Sequence, residues 1–280
     1  MSIIKSPNAV QEGFRLKKYN IDGIVLLLIG FYLILPLAVT LIYSLSTEWM
    51  EVLPRGLTAK YYAELVSDSL FWQAIVRSVI ISFIPVVLTA AALLLVMYAV
   101  TVYLPAFDKY LQILCTIPYA IQGVILPVSV LSLYSGSAWP FSNRIIMLIF
   151  TYSVIILPYM YQGIKNSLIT VEATKLLEAA QMLGADRFYA FFHIIVPCML
   201  SGVVISSMLS VAIIFGDFVI VNTIGGSYYY TAQMYLLKKM FISGQLTSAV
   251  IIILFTVTLV ISAVMFYFKS KTAMNSSEEN

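Results

Sequence analysis

Long apolar segments alternate with shorter polar ones along this chain, and six of them are long enough to be membrane helices. At about 1.5 Å per residue, each can cross a hydrocarbon core of ~30 Å. The six segments are approximately residues 21–45, 73–103, 110–134, 144–163, 198–221 and 245–268. The third is interrupted by Pro118, Gly123 and Pro127, which membrane helices tolerate where neighbours satisfy the freed backbone groups. The pattern predicts an all-α integral membrane protein in which residues 1–280 form a single transmembrane domain.

The composition agrees with a membrane protein and argues against several other classes. The chain is 61% apolar and 10% charged, whereas a soluble domain carries about 25% charged residues. A formal net charge of +3, without clustered basic residues, argues against nucleic-acid binding. Two cysteines, Cys115 and Cys198, and a single histidine do not suffice for a zinc site. The sequence therefore predicts no metal and no cofactor in this chain, and thiols that are buried and reduced.

Charge bias near the span ends predicts how the chain is oriented. Lysines and arginines near the ends of spans mark the cytoplasmic side. Most of them fall in the N-terminal leader, the 104–109 turn, the 164–197 stretch and the C-terminal tail. This bias predicts that both termini and the 164–197 stretch are cytoplasmic. The long polar connections at 46–72 and 222–245 then face outward.

The cytoplasmic stretch 164–197 has the pattern of two helices joined by a glycine turn. A first helix, with Thr170 as its N-cap, repeats apolar and charged residues at helical spacing. The apolar face comprises Leu176, Ala179, Ala180 and Leu183, and the charged face comprises Glu172, Lys175 and Glu178. Gly184 then ends this helix, Asp186 caps the next one, and Pro197 bends or stops that one. One apolar face can pack on the bundle and another can admit a partner, although an ordinary pair of amphipathic interfacial helices has the same periodicity.

Several positions in this stretch match a known signature at fixed spacing. The matching residues are Glu178, Ala179, Ala180, Gly184, Ile194 and Pro197. This pattern resembles the EAA signature of permease subunits in bacterial ABC importers, with Val196 where that family usually has leucine. The six-span layout resembles the same family over nearly the whole chain.

The resemblance implies a six-transmembrane-helix type I ABC importer permease of the bacterial plasma (inner) membrane, with residues 164–197 as its cytoplasmic coupling (EAA) loop. In that family the loop seats a coupling helix in a cleft of a cytoplasmic ATPase dimer, and the ATPase binds ATP and Mg²⁺. The family also implies a second permease subunit, identical or different, and an extracellular or periplasmic solute-binding protein. This chain contains no GxxxxGK[ST] phosphate loop. We therefore expect a transport subunit within the lipid bilayer rather than an enzyme.

An acid near the outer end of the fifth span is the leading candidate for the substrate pathway. Asp217 lies in the sequence GDFVIVN, and an ionisable group at membrane depth usually faces a cavity or a partner. Alternatively, Asp217 lies in the outer headgroup layer or pairs with Lys238 or Lys239. Polar groups in spans often only bond neighbouring helices, and further candidates of this kind are Gln122, Ser129 and Asn222.

Two short segments resemble one group within the importer family. GLTAKYY after the first span and GDFVI in the fifth are similar to the spermidine/putrescine permease group, which also contains permeases for phosphonates, ferric iron and thiamine. Because Asp217 would suit a cationic amine, a polyamine-like solute is favoured. A self-sufficient secondary transporter driven by an ion gradient is the alternative, with Asp217 as its best candidate for ion coupling. Uptake without ATP would distinguish that alternative.

Overall fold

The computed structural model of the chain describes residues 7–49, 55–121 and 123–278. Its helices are α1 (Pro7–Leu45), α2 (Lys60–Ser67), α3 (Ser69–Val102), α4 (Asp108–Thr116), α5 (Ile125–Tyr134), α6 (Arg144–Thr170), α7 (Ala173–Met182), α8 (Arg187–Tyr189), α9 (Val196–Gly216), α10 (Ala232–Met240) and α11 (Gly244–Glu278). Two short antiparallel strands are β1 (Ser46–Glu48) and β2 (Arg55–Leu57). Short 3₁₀ turns at Pro105–Phe107 and Ile117–Ala120 flank α4, and π-helical turns occupy Ala190–Ile195 and Val221–Gly225.

Five helices among the described residues are long and apolar enough to cross a membrane. These crossing segments are Val25–Leu45, Ser69–Val102, Arg144–Thr170, Arg187–Gly216 and Gly244–Val264. A pair formed by Pro105–Ala120 and Ile125–Tyr134 is bent by 99° and makes a sixth if it counts as one span. The expected helical membrane architecture is confirmed, and the short β1–β2 pair is an addition to it.

The inner ends of the fourth and fifth crossing helices extend beyond the segments that hydropathy predicts. The helix that corresponds to the predicted span 144–163 continues to Thr170, and the one that corresponds to 198–221 begins at Arg187 and ends at Gly216, before Asp217. Pro197 does not stop this helix. Pro197 lies in the first turn of α9, where a missing backbone N–H is tolerated. The residue before it, Val196, donates its N–H to Phe191 O and so ends the preceding π-helical turn. The continuation to Thr170 runs through the polar residues Lys165, Asn166 and Ser167, so hydropathy alone does not predict it.

The chain packs as two units, Met1–Leu65 with Met240–Ile253 and Val66–Lys239 with Leu254–Asn280. In the first, β1 pairs with β2, and Thr58 N–H donates to Leu45 O at 2.7 Å, which closes the connection onto the end of α1. In the second, α3, α6 and α9 pack side by side around buried Ile, Leu, Met and Tyr side chains. The second unit contains the predicted coupling loop and Asp217. The prediction that residues 1–280 form one transmembrane domain remains a prediction.

Glycines bring the backbones of α6 and α9 into close contact. A Cβ on Gly163 would overlap the Ser206 side chain, and a Cβ on Gly202 would overlap Ser167 Oγ and lie 2.9 Å from its Cβ. Each serine also bonds its own helix: Ser167 Oγ donates to Gly163 O at 2.8 Å and Ser206 Oγ to Gly202 O at 3.1 Å. Each helix therefore presents a glycine and, four residues later, a serine to its partner, an arrangement that permits close helix approach in membranes.

Candidate functional site

A sharp turn joins α6 to the helix that carries most of the predicted signature. Thr170 is the last residue of α6, and its hydroxyl donates to Asn166 O at 2.8 Å, so the prediction that Thr170 caps the next helix is wrong. Glu172 instead precedes α7, with a left-handed φ of +48°, a conformation that is uncommon outside glycine. Its carboxylate pairs with Lys175 Nζ at 2.8 Å, as the charged face predicts. We refer to residues 171–186 as the coupling segment.

The face that α7 buries differs from the predicted apolar face. It consists of Ala173, Leu177 and Ala180. Leu183 and Met182 at the end of α7 are each 89% exposed, so of the four residues of the predicted apolar face Leu183 does not pack on the bundle. The rotation of α7 is set by the turn at Glu172 and by close packing of its alanines, neither of which periodicity reveals. Met182 and Leu183 thus form an apolar tip on the otherwise polar surface of the coupling segment.

The end of α7 is fixed by a hydrogen-bonded glycine turn. Gly184 has a φ of +86°, its N–H donates to Gln181 O at 2.9 Å, and the Ala185 N–H donates to Ala180 O at 3.0 Å. This is the Schellman arrangement, in which a left-handed residue ends a helix. The Asp186 carboxylate then accepts from Phe188 N–H at 3.0 Å, so the predicted glycine turn and cap are both confirmed.

Aromatic rings hold the second helix of the loop against the end of α3. The Tyr98 ring lies 5.6, 5.3 and 5.6 Å, centroid to centroid, from the rings of Phe188, Phe191 and Phe192. Such separations suit edge-to-face and tilted aromatic pairs. Phe191 is fully buried. The coupling segment is therefore attached to the bundle on both sides, through α6 and through this cluster.

An ion pair connects the start of α4 to α6 near the coupling segment. Lys165 Nζ donates to both carboxylate oxygens of Asp108, at 3.0 and 2.8 Å, and to Tyr161 Oη at 3.1 Å. This bidentate contact joins the first turn of α4 to the C-terminal part of α6. Displacement of α6 would therefore also pull on α4.

At the C-terminal end of α9, Asp217 is engaged by two donors. Its Oδ2 accepts from Tyr152 Oη at 3.0 Å and from Ile220 N–H at 2.9 Å. Lys239, one of the two lysines considered as its partner, lies 4.0 Å from the Asp68 carboxylate instead. Asp217 thus links α6 to the first turn of the segment that follows α9.

Further hydrogen bonds hold the segment that follows α9, residues 217–235, onto α3 and α6. They run from Arg144 Nη1 to Ile224 O at 3.0 Å, from Tyr229 Oη to Arg77 O at 3.0 Å, from Ala232 N–H to Ser78 Oγ at 2.8 Å and from Tyr235 Oη to Asp68 Oδ2 at 2.7 Å. The bond from Tyr235 lowers the pKa of Asp68 below its ordinary value, because it stabilises the carboxylate. The segment is therefore positioned by the N-terminal parts of α3 and α6.

Comparison with known proteins decides the family. The model of the family described as "Binding-protein-dependent transport system inner membrane component" matches residues 78–273, which include the coupling segment and Asp217. The chain belongs to this family. It is an ABC importer permease, a transport subunit rather than an enzyme, as the sequence resemblance implies.

Relatives of this permease carry different named solutes. It is 24% identical over 193 residues to the protein named "Putative 2-aminoethylphosphonate transport system permease protein PhnV" of Salmonella paratyphi A, covering 69% of this chain and 71% of the relative. It is 26% identical over 213 residues to the putrescine transport system permease protein PotI of Escherichia coli, covering 72% and 74%. A solved bacterial ABC transporter involved in import of the acidic polysaccharide alginate has a chain with a TM-score of 0.61 at 13% identity, covering 95% of the permease and 99% of that chain. That likeness shows the fold alone.

The signature residues of the permease are divided between its surface and its core. Glu178, Ala179, Gly184 and Pro197 are exposed, Ile194 is half-buried and Ala180 is buried. Burial of Ala180 explains why a small residue is needed there, because α7 packs on the bundle at that point. Met182 lies two residues before Gly184, at the end of α7, and falls outside the predicted apolar face of this helix. The role of these residues in coupling remains a prediction.

The predicted pathway residues do not form one cluster. Asn222 lies in the π-helical turn after α9 and is exposed, and Ser129 is exposed on α5. Gln122 lies outside the residues that the structure describes. Asp217 is half-buried and bonded as given above. Their contact with solute remains a prediction for the permease.

Replacing Asp217 separates a capping role from a role as a charge in the pathway. Asp217→Asn keeps an oxygen that can accept from Tyr152 or Ile220, so we expect uptake to stay within about twofold of the unmodified permease. Asp217→Ala removes the acceptor and should lower thermal stability by about 1–2 kcal/mol, as loss of a helix cap does. The measurements are uptake and thermal unfolding of the assembled transporter. Loss of uptake in Asp217→Asn at unchanged stability would instead assign the charge to the solute.

Proposed function

We propose that this permease imports a small amine-bearing solute, driven by ATP hydrolysis in a cytoplasmic ATPase dimer that docks on the coupling segment. The observation that carries the docking proposal is the apolar tip formed by Met182 and Leu183. Glu172 precedes α7 and Glu178 lies within it, and both side chains are exposed. The surface next to the apolar tip is therefore polar. Exposed apolar side chains on a rigid helix end suit insertion into a pocket of a partner protein.

The attachment of the coupling segment supports its use as a lever. It is joined to α6 by the tight turn at Glu172, to α3 by the Tyr98 rings, and its helix end is fixed by Gly184. A segment with several rigid attachments passes a displacement to the helices it touches, as in packed-helix shear. In this proposal the ATPase binds ATP and Mg²⁺, and the permease itself holds no cofactor.

The family supports the remaining partners of this proposal, and the bias of lysine and arginine near the span ends supports its orientation. A second permease subunit, identical or different, completes the membrane part, and a solute-binding protein delivers the solute from outside. The coupling segment and both termini lie on the cytoplasmic side of a bacterial inner membrane. The segment at residues 217–235 then faces the binding protein.

The solute class is supported by what the names of two relatives have in common. The permease proteins PhnV and PotI belong to transport systems named for 2-aminoethylphosphonate and putrescine. Both compounds are short aliphatic chains that bear a primary amine. A small amine-bearing solute is therefore our proposal, and it includes the polyamine-like solutes that the sequence favours as well as aminophosphonates.

Uptake into proteoliposomes tests this function. We expect the permease, assembled with the ATPase, second permease and binding protein that copurify with it, to take up radiolabelled putrescine or 2-aminoethylphosphonate only when hydrolysable ATP is present at the ATPase. A non-hydrolysable ATP analogue should stop uptake. Uptake driven by a sodium or proton gradient without ATP would overturn the proposal and favour a secondary transporter. ATP-driven transport of neither compound would overturn the amine assignment.

A further inference from the structure

The ammonium group of Lys165 on α6 is fully engaged by neighbouring side chains. It donates to both carboxylate oxygens of Asp108 at 3.0 and 2.8 Å, to Tyr161 Oη at 3.1 Å and to Gln112 Oε1 at 3.4 Å. A lysine ammonium has three N–H donors, so these residues account for all of them. Tyr161 is buried, which fixes one side of the arrangement. Lys165 is therefore held in a defined position.

The two partners of Lys165 that lie outside α6 are both on α4. Asp108 is the first residue of α4, and Gln112 lies one turn further along the same face. Contacts at two successive turns restrain both the position of the start of α4 and its rotation about the helix axis. Hydrogen bonds between charged groups are about twice as strong as those between neutral groups. Lys165 therefore determines where α4 begins relative to α6.

Lys165 is also close to the coupling segment along α6. Thr170, the last residue of α6, is five positions further on, which is about 7.5 Å at 1.5 Å per residue. The tight turn at Glu172 then leads into α7. Because an uninterrupted helix of this length bends little, a displacement that the turn at Glu172 passes to α6 reaches Lys165.

A cavity of about 440 Å³ lies between the start of α4 and the start of α7. Its lining includes Asp108 and Lys165 as well as Ala173 and Lys175. Because of this space, the start of α4 does not receive a displacement of α7 by direct packing there. The Lys175–Glu172 pair joins two residues of the coupling segment, with side chains 73% and 61% exposed, and pairs this exposed contribute little. The contact of Lys165 with Asp108 is the stronger connection.

We propose that Lys165 is a positioning residue for ATP-driven import, which makes α4 follow each displacement of the coupling segment through its contacts with Asp108 and Gln112. This inference rests on the proposed function and identifies the contact by which the motion passes from α6 to α4. Lys165 itself touches neither the solute nor the ATPase. Without this contact α4 no longer follows α6, so ATP is hydrolysed while less solute is moved. A contact that only stabilised the fold would not change the amount of solute moved per ATP.

The ratio of solute transported to ATP hydrolysed tests this role in the assembled transporter. Lys165→Met removes the three donors and keeps the length of the side chain. We expect uptake of radiolabelled putrescine or 2-aminoethylphosphonate into proteoliposomes to fall at least about tenfold, while ATP hydrolysis stays within about twofold of the unmodified permease. Lys109→Met is the matched control, because it makes the same change at the exposed residue next to Asp108. It should keep both activities.

A charge exchange and a stability measurement distinguish positioning from folding. The double variant Asp108→Lys with Lys165→Asp places opposite charges across the same two helices, so it should transport more solute per ATP than Lys165→Met does. The unfolding temperature and the copurification of the ATPase are measured for each variant. If Lys165→Met lowers uptake, ATP hydrolysis and unfolding temperature together, the contact serves only the fold and the proposal is wrong. Unchanged uptake in Lys165→Met would equally overturn it.

Spin labels test the contact without any solute and so separate this inference from the proposed function. In a background with Cys115→Ala and Cys198→Ser, labels are attached at Lys109→Cys on α4 and Asn166→Cys on α6, which are both exposed. We expect the dipolar broadening between the labels to stay the same when a non-hydrolysable ATP analogue binds the ATPase, and to change in Lys165→Met. A change with Lys165 present, or none without it, would overturn the inference. Absence of ATP-driven uptake by the unmodified transporter would contradict the proposed function instead.

Discussion

ATP-driven uptake is expected to be lost when Leu183 is replaced by lysine, with the permease still folded in the membrane. Leu183 is almost fully exposed at the end of α7, so the substitution removes no internal packing. A lysine near a helix C-terminus suits the helix dipole and should not unfold α7. If the tip inserts into a pocket of the ATPase, a charge there should reduce uptake by more than about tenfold, since buried anchor residues contribute about 2 kcal/mol or more.

A charge placed elsewhere on α7 provides the control for this experiment. Thr174 is exposed in the first turn, and Thr174→Asp again adds a charge at the end where the helix dipole favours it. We expect this variant to keep uptake and ATPase copurification near the level of the unmodified permease. Full uptake by Leu183→Lys would show that the apolar tip is not the docking point. Loss in both variants would indicate that α7 tolerates no added charge, which would also contradict the specific role of the tip.

Gly202→Ala is expected to destabilise the permease, although glycine to alanine within a helix is normally stabilising by about 0.5–1 kcal/mol. The added methyl group would overlap Ser167 Oγ on α6, and overpacking of this kind costs about 1–3 kcal/mol. Gly163→Ala should act in the same way through Ser206. The measurement is the thermal unfolding temperature in detergent, together with the yield of monodisperse protein.

Two further variants make this prediction specific to the contact between the helices. Gly30→Ala, at a glycine with no atom within 4 Å of its Cβ position, should leave the unfolding temperature unchanged or raise it. Ser167→Gly removes the overlapped side chain, so the double variant with Gly202→Ala should recover most of the lost stability. Failure of Ser167→Gly to rescue would mean that the two residues do not act as a pair.

Features of the coupling segment that depend on adjacent residues could be predicted from the sequence. Gly184 and Asp186 act through their own backbone conformation and hydrogen bonds to residues within five positions. Their types therefore specify the turn and the cap. The rotation of α7 could not be predicted, since its buried face depends on the left-handed turn at Glu172 and on alanine packing against distant helices. The sequence therefore could not show that Leu183 is exposed while Ala180, on the same predicted face, is buried.

Contacts between residues far apart in the chain could not be predicted from the sequence, either around Asp217 or within the crossing helices. Asp217 was identifiable as an unusual acid, but its donor Tyr152 is 65 positions away in the chain and gives no local signal. Pro118 and Gly123 predicted an interruption of the third span, whereas the size of the bend, 99°, depends on packing against α6. The overlap of Gly202 with Ser167 likewise follows only from the fold.

Close contact between α6 and α9 is expected to make the two helices move as one rigid unit. Because the two helices meet through glycines and cannot slide past the facing serines, they tilt together. α6 has 27 residues, so a tilt of about 5° about its inner end displaces its outer end by about 3 Å over a length of ~40 Å. Because Ile224 lies in the turn that follows α9, the hydrogen bond from Arg144 Nη1 to Ile224 O at 3.0 Å moves with the pair and is kept during such a tilt. We therefore expect a small rotation at one end of α6 to displace its other end, together with the bonded segment after α9, as a single body.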